Sequence, residues 1–268
     1  MKLKRKKGRQ ILIFLASFLG YLGVFFCAAF FVTGVFPTEN ALTTNDGDLK
    51  ILYKKTEPVC ILLIGSLNKT AANTFITAQI DANLRKITVS GLDATKTAAV
   101  NGHTDTLSGH YSYGGALEAK LAVSEITGTN IERYIYTNTD GLKSIIDLLG
   151  GVVFDVPESI EHHDPENSLN ISLAAGGQNL SGSQAAGLAR YTFRADKNIE
   201  TSVQCGLVCA LINQYLTGRA VSASLPLFQA AVGIMDTDIG IRDYEIIKGM
   251  LLEVAKGDGQ KAEMILFE

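Results

Sequence analysis

Cysteine is scarce in this 268-residue chain, and its four copies are badly placed for disulfides. Cys27 falls in a charge-free run, Cys60 in an apolar strand candidate, and Cys205 and Cys209 stand four apart on a helix candidate. That excludes a disulfide framework and predicts buried free thiols. No spacing matches a zinc site. Positive charge is scarce too, once the first ten residues are set aside. "MKLKRKKGRQ" takes six of the 24 Lys and Arg and no acid, and the remaining 18 face all 27 Asp and Glu, a net charge of −9. A nucleic-acid binder needs a basic stripe to neutralise phosphates, so that class is excluded. Repeats and low-complexity tracts are also lacking.

Charge is missing altogether from residues 11–36, "ILIFLASFLGYLGVFFCAAFFVTGVF". A bilayer core needs about 20 apolar residues in a helix, so this run predicts a transmembrane span. The basic tail at 1–10 would stay in the cytoplasm and place all that follows outside. A cleaved signal peptide is the rival reading. Its apolar region is normally only about 7–15 residues, before a small-residue cleavage site that "FFCAAF" matches poorly. Residues 37–57 are polar and read as a juxtamembrane linker. Residues 58–268 then suffice for one domain with a real core.

Within that domain "VCILLI" (59–64) is continuously apolar, as a strand buried on both faces should be. "NTFITAQID" (73–81) and "RKITVSG" (85–91) read as further strands joined by a tight turn near Asn83. Residues 92–113 are polar and give no element. Ala119, Ala122, Val123 and Ile126 then recur at helical spacing, with Gly128 as a stop. "RYIYT" (133–137) is a strand, Leu142, Ile145, Ile146 and Leu149 mark a helix, and "VVFDVP" (152–157) is another strand. Ser181 and Gln184 form a capping box before "SQAAGLARY". The helix at 198–216 is strongly amphipathic, and helical segments near 222–234 and 242–256 close the chain. Strands alternating with helices predict an α/β domain, a single α/β/α sandwich around a mixed central sheet.

The stretch "GLARYTFRADKNIETSVQ" (187–204) gathers Arg190, Arg194, Asp196 and Lys197 just before a long helix. Arginines so placed suit phosphate, through guanidinium forks that match its oxygens. Two readings stay open: a residual anion site, or ion pairs with Asp196, Glu200 or surface acids. Gln204 reads more readily as a solvated helix residue than as a ligand. "HHD" (162–164) reads as a polar loop without a third metal partner, and His103 and His110 likewise. Asp93 reads as a strand-end or turn acid.

Residues 110–160 and the later "LAAGGQNLSGSQAAGLARY" (173–191) resemble the LytR–CpsA–Psr family, also catalogued as the cell envelope-related transcriptional attenuator domain. Tyr-Gly-Gly opens a helix, Asp-Gly precedes the next, and Leu-Gly-Gly-Val and Val-Pro-Glu follow in order. With the basic tail and apolar run, the resemblance covers about residues 58–255. It implies a protein of bacterial cell-wall biogenesis whose relatives transfer a glycopolymer from a polyprenyl pyrophosphate carrier onto peptidoglycan. It further implies an apolar tunnel for the lipid, and arginines with magnesium at the pyrophosphate.

Against that pattern this chain departs. The family's Gly-x-Asp and Arg-Ser-Asp-Thr supply metal acids, but "LLIGSLNKTAANTF" (62–75) puts Leu67 or Asn68 at the first position and Asn73 at the second. Asp93 stands where the third strand's arginine belongs, reversing the local sign. In the arginine segment Arg190, Asp196 and Gln204 match, Arg194 lies two places beyond the expected second arginine, and Thr192, Ile199 and Ser202 replace arginines. The resemblance therefore implies a residual phosphate site at Arg190, Arg194 and Gln204, with Asp196 as a coupled acid and no metal. An active enzyme with displaced magnesium ligands is the alternative, and a scaffold without a lipid pocket is a third reading. Expected partners are the membrane, polyprenyl-linked glycan or peptidoglycan, and a catalytically competent family member.

Overall fold

The computed structural model describes residues 57–68, 71–166, 169–191 and 197–265. The run at 11–36 and the linker at 37–57 fall outside them except for Glu57, and no described helix is long and apolar enough to cross a membrane. The described residues all fall within one compact unit.

The centre is a six-stranded mixed sheet. β1 (Val59–Asn68), β2 (Ala71–Asp81) and β3 (Lys86–Leu92) run as an antiparallel meander. β6 (Arg133–Asn138) joins β1 in parallel, β11 (Asp236–Thr237) adds antiparallel to β6, and β12 (Ala262–Met264) adds parallel to β3. The order across the sheet is β11-β6-β1-β2-β3-β12.

Side-chain alternation explains why "VCILLI" carries no polar residue. Cys60, Leu62 and Ile64 point to a core shared with Phe75 and helix α1 (Leu107–Thr127). Val59, Ile61 and Leu63 point the other way, to a core completed by α4 (Lys197–Tyr215) and α7 (Ile241–Ala255). Helices on both faces of a mixed sheet make the expected α/β/α sandwich. On α1 the predicted apolar face is real, since Ala119, Ala122 and Val123 are fully buried, and Gly128 ends the helix in the left-handed region at φ 63°.

A third core lies beside the sheet. It is built from β7 (Val152–Val156), β8 (Ile160–Asp164), β9 (Leu169–Leu173) and β10 (Gly176–Leu180), with α2 (Thr139–Leu149) and α3 (Gly182–Arg190). α4 serves this core and one of the sheet's. Ile199, Val203, Leu207 and Leu211 face the third core, while Cys205, Val208 and Ile212 face the sheet. Its close approach to the sheet depends on Gly91 of β3, where a Cβ would overlap Thr201 and Cys205. α5 (Gly218–Ser222) and α6 (Leu225–Ile234) lead on to α7.

Two expectations change. The polar stretch at 92–113 holds a hairpin, β4 (Thr97–Val100) with β5 (His103–Thr106), and α1 begins already at Leu107, capped by Thr106 Oγ1 accepting from Gly109 N at 2.9 Å. "HHD" is strand rather than loop: β8 pairs β9 antiparallel, with Ile160, Leu169, Ile171 and Leu173 buried beneath exposed polar neighbours. Short alternations such as I-E-H-H-D hide a half-buried edge pair behind polar residues. The helical segment expected near 222–234 is present as α6 (Leu225–Ile234), with Pro226 in its first turn, and the short α5 (Gly218–Ser222) precedes it.

Candidate functional site

Between the sheet and helices α2, α3 and α4 lies a cavity of about 370 Å³, within the range of small-molecule sites. Its body is apolar. Leu63, Ile76, Ala78 and Ile135 come from the sheet, Leu142, Ile145 and Ile146 from α2, Ala186 and Ala189 from α3, and Leu207, Val208, Leu211 and Ile212 from α4. Its polar lining comes from Ser66, Asn73, Thr74, Thr137, Asn138, Thr139, Arg190 and Gln204. Among the described residues the lining holds one guanidinium and no carboxylate.

Local strand geometry delivers two of these polar groups. Gly65 pairs with Thr74 and Ser66 with Ala72, so Asn73 is the extra residue of a bulge in β2. Ser66 with Ala72 and Asn68 with Ala71 then leave Leu67 as the extra residue of a second shift, in β1. A bulge takes a residue out of the ladder and re-aims it, as happens beside many sites. Of the positions at which the family resemblance places metal acids, Asn73 and Leu67 are thus bulge residues while Asn68 pairs with Ala71, and Asn73 lines the cavity.

The arginine side is built by α3. Ser181 caps it, with Gln184 Oε1 accepting from Ser181 N at 2.9 Å, which confirms the capping box read from sequence. Gly182 lets its first turn sit on α2, where a Cβ would overlap the Lys143 carbonyl, and Gly182 N donates to Asp147 Oδ1 at 2.7 Å. The helix ends at Arg190, half-buried on the cavity wall. A cation in the last turn is favoured by the helix dipole.

Gln204 corrects the expectation of a solvated residue. It is 8% exposed, and its Nε2 donates to Ala189 O at 2.9 Å. Its amide therefore ties α4 to the end of α3 beside Arg190. Ile199 is half-buried against the third core and Ser202 is half-buried on α4; neither lines the cavity. Asp93 is exposed past the end of β3, where its Oδ1 accepts from Thr95 N and Thr95 Oγ1, both at 2.8 Å, the turn acid expected from sequence. It does not line the cavity. Thr192, Arg194 and Asp196 lie outside the described residues, as does the side chain of Leu67.

Sequence reasoning did not single out Ser66, Thr137, Asn138 or Thr139. Asn138 caps α2, its Oδ1 accepting from Gly141 N at 2.8 Å, so "TNTDG" carried an N-cap signal that could have marked this edge. Ser66 is buried, with Oγ 2.8 Å from the Tyr136 hydroxyl.

Magnesium fits poorly here. A hard divalent cation is held by charged oxygens in near-octahedral order, and the described lining supplies only amide and hydroxyl oxygens beside a guanidinium. No group of three or more His, Cys, Asp or Glu among the described residues is arranged to hold a metal. The buried thiols are equally unreactive: burial, with Glu132 adding, pushes Cys60 up to about 11, and burial, with Cys209 adding, pushes Cys205 up to about 12.

Known proteins are similar to this chain in sequence and in fold. It is 28% identical over 214 residues to Biofilm regulatory protein A of Streptococcus mutans, covering 70% of this chain and 52% of that protein. It is 27% identical over 157 residues to the polyisoprenyl-teichoic acid–peptidoglycan teichoic acid transferase TagU of Bacillus cereus, covering 54% of this chain and 48% of that protein. The chain thus spans about half the length of these curated relatives. The crystal structure of B. subtilis TagV superposes with a TM-score of 0.69 at 18% identity, over 80% of this chain and 85% of that one, a likeness of fold. The model of the LytR_cpsA_psr family matches residues 35–263, and the chain belongs to that family.

Proposed function

We propose that this chain is a membrane-anchored, extracytoplasmic protein of bacterial cell-wall biogenesis that holds a polyprenyl-phosphate-linked glycan without carrying out metal-dependent transfer. One observation carries the reading. The cavity joins an apolar body to a single described cation, Arg190, and the bulge residue that should bring an acid to it is Asn73.

Each part of such a ligand has a counterpart. Prenyl methyls and methylenes would leave water for the leucines and isoleucines of α2 and α4, at about 25 cal/mol per Å² of apolar surface removed. The phosphate would meet the Arg190 guanidinium, with amide and hydroxyl donors at Asn73, Thr74 and Thr137 around it. Phosphoryl transfer needs more than that. Charge building on the bridging oxygens must be neutralised in the transition state, commonly by a metal and several cations together. One guanidinium among the described residues supports binding far better than turnover. Partners consistent with this reading are the membrane, through residues 11–36, peptidoglycan, and a catalytically competent family member.

The test is extraction. Full-length protein purified in detergent from a cell-wall-producing host should release a polyprenyl phosphate into organic solvent, detected by mass spectrometry. A clean extract, together with no uptake of added polyprenyl phosphate, would overturn the lipid-binding reading and leave a scaffold. Cleavage of a bound polyprenyl pyrophosphate glycan would instead make the chain an active transferase.

A further inference from the structure

α1 is broken rather than straight. At Gly115 the backbone leaves helical geometry, with φ 67° and ψ −155°, and a Cβ there would meet nothing within 4 Å. Conformation and not crowding is therefore what calls for glycine. In an unbroken helix, residues eight apart are separated by about 12 Å along the axis. Yet His110, before the break, has Nδ1 3.6 Å from Oε1 of Glu118, after it. Glu118 folds back so far that a Cβ on Gly114 would stand 2.6 Å from its own Cβ.

The histidine's hydrogen-bond pattern fixes its tautomer. His110 is fully buried, and Nε2 lies 3.0 Å from the Ala98 carbonyl oxygen. A carbonyl only accepts, so Nε2 carries a hydrogen. In the neutral ring, Nδ1 is then a lone pair, and it is buried with no hydrogen-bond partner among the described residues. It faces a carboxylate that is itself 14% exposed. Two acceptors face one another across a gap slightly too long for a hydrogen bond. A proton between them would turn mutual repulsion into a charge-assisted bond.

We propose that His110 and Glu118 form a proton-carrying clasp across the Gly115 break of α1. Two further titratable groups face it, both from β5. The His103 ring meets His110 edge-on at 5.3 Å, and Asp105 lies 3.5 Å from His103 Nε2. A charged His103 opposes the extra proton and Asp105 favours it. The closed clasp binds one proton more than the open one, so acid closes it and alkali opens it. Contacts run from it to the cavity wall. Tyr111, beside His110, stacks on Tyr136 with ring centres 5.7 Å apart, and Tyr136 contacts Ser66, which lines the cavity.

Hydrogen exchange of the full chain in detergent, read by mass spectrometry between about pH 5.5 and about pH 8.5, tests this across the titration range of histidine. After correction for intrinsic chemistry, exchange around residues 108–118 should quicken on the order of tenfold with rising pH. Glu118→Gln, whose amide donates to Nδ1 at every pH, should stay protected throughout. A flat wild-type profile, or a Glu118→Gln profile that rises like wild type, overturns the clasp. An independent reading needs no variant: with ¹⁵N-labelled histidine, His110 Nδ1 should gain a proton on acidification while Nε2 keeps its own. An Nδ1 that stays unprotonated throughout would also overturn it.

Discussion

The side chain of Gln204 on α4 donates to the main-chain oxygen of Ala189 on α3 at 2.9 Å, one residue before the cavity's arginine. The last carbonyls of a helix have no partner within it, and this buried amide supplies one. Gln204→Leu keeps much of the bulk and strands that carbonyl. We expect a loss of about 1–3 kcal/mol, the usual cost of a buried group left unsatisfied. Thermal unfolding would show it as a fall of several degrees in Tm. Lipid affinity should weaken as well, because the end of α3 that carries Arg190 loses its tie.

Arg190 itself should matter for charge. Arg190→Ala removes the described cation of the cavity and leaves its apolar walls in place. Affinity for a polyprenyl phosphate should fall on the order of tenfold or more, as for loss of a charge-assisted hydrogen bond. Affinity for the uncharged polyprenol should hardly move. Fluorescence competition with the two lipids side by side checks this, and equal losses for both would contradict it.

Filling the cavity should act the other way. Leu211 is half-buried on the cavity wall. Leu211→Trp puts an indole into space that the folded protein leaves open, and one large side chain there costs less than overpacking a filled core, which is typically about 1–3 kcal/mol. We expect the fold to survive with a Tm close to wild type, while polyprenyl phosphate uptake disappears.

Stability should change at both ends of the pH scale. Cys205 is held up at about 12 in the folded chain, first by burial and then by Cys209, against an ordinary 9.0. As pH climbs through 9, the unfolded thiol releases its proton while the folded one keeps it, so the folded state is progressively disfavoured up to about 12. At the acid end Asp243 is held below its ordinary 3.8, first by its hydrogen bond from Arg133, at 2.6 Å. That contribution is present above 3.8 and is lost as pH falls through the lowered folded value. Chemical denaturation followed across pH should show both limbs. Cys205→Ala should flatten the alkaline one, and Arg133→Leu the acid one.

The sandwich was readable in advance because its signals are periodic. Cys60, Leu62 and Ile64 alternate with Ile61 and Leu63, and Ala119, Ala122, Val123 and Ile126 repeat along α1. Ser181 and Gln184 announced α3 through complementary hydrogen bonds that two residue types alone can supply. The hairpin at Thr97–Thr106 and the pair β8–β9 were illegible, since four- or five-residue strands with polar outer faces look like loops. The site was half legible. Arg190 stood out by residue type and Asn73 through the family resemblance, and both line the cavity. Ser66 and the buried place of Gln204 did not, because a bulge register and a packing partner 15 residues away leave no trace in local sequence.

The account turns on whether the cavity binds its lipid without reacting it. The most direct measurement incubates the full-length protein with a polyprenyl pyrophosphate-linked glycan and a peptidoglycan acceptor, with magnesium or with chelator, and follows the release of lipid phosphate. We predict that the glycolipid is retained intact, with equal occupancy under both conditions. Magnesium-dependent release of lipid phosphate that chelator abolishes would contradict the account.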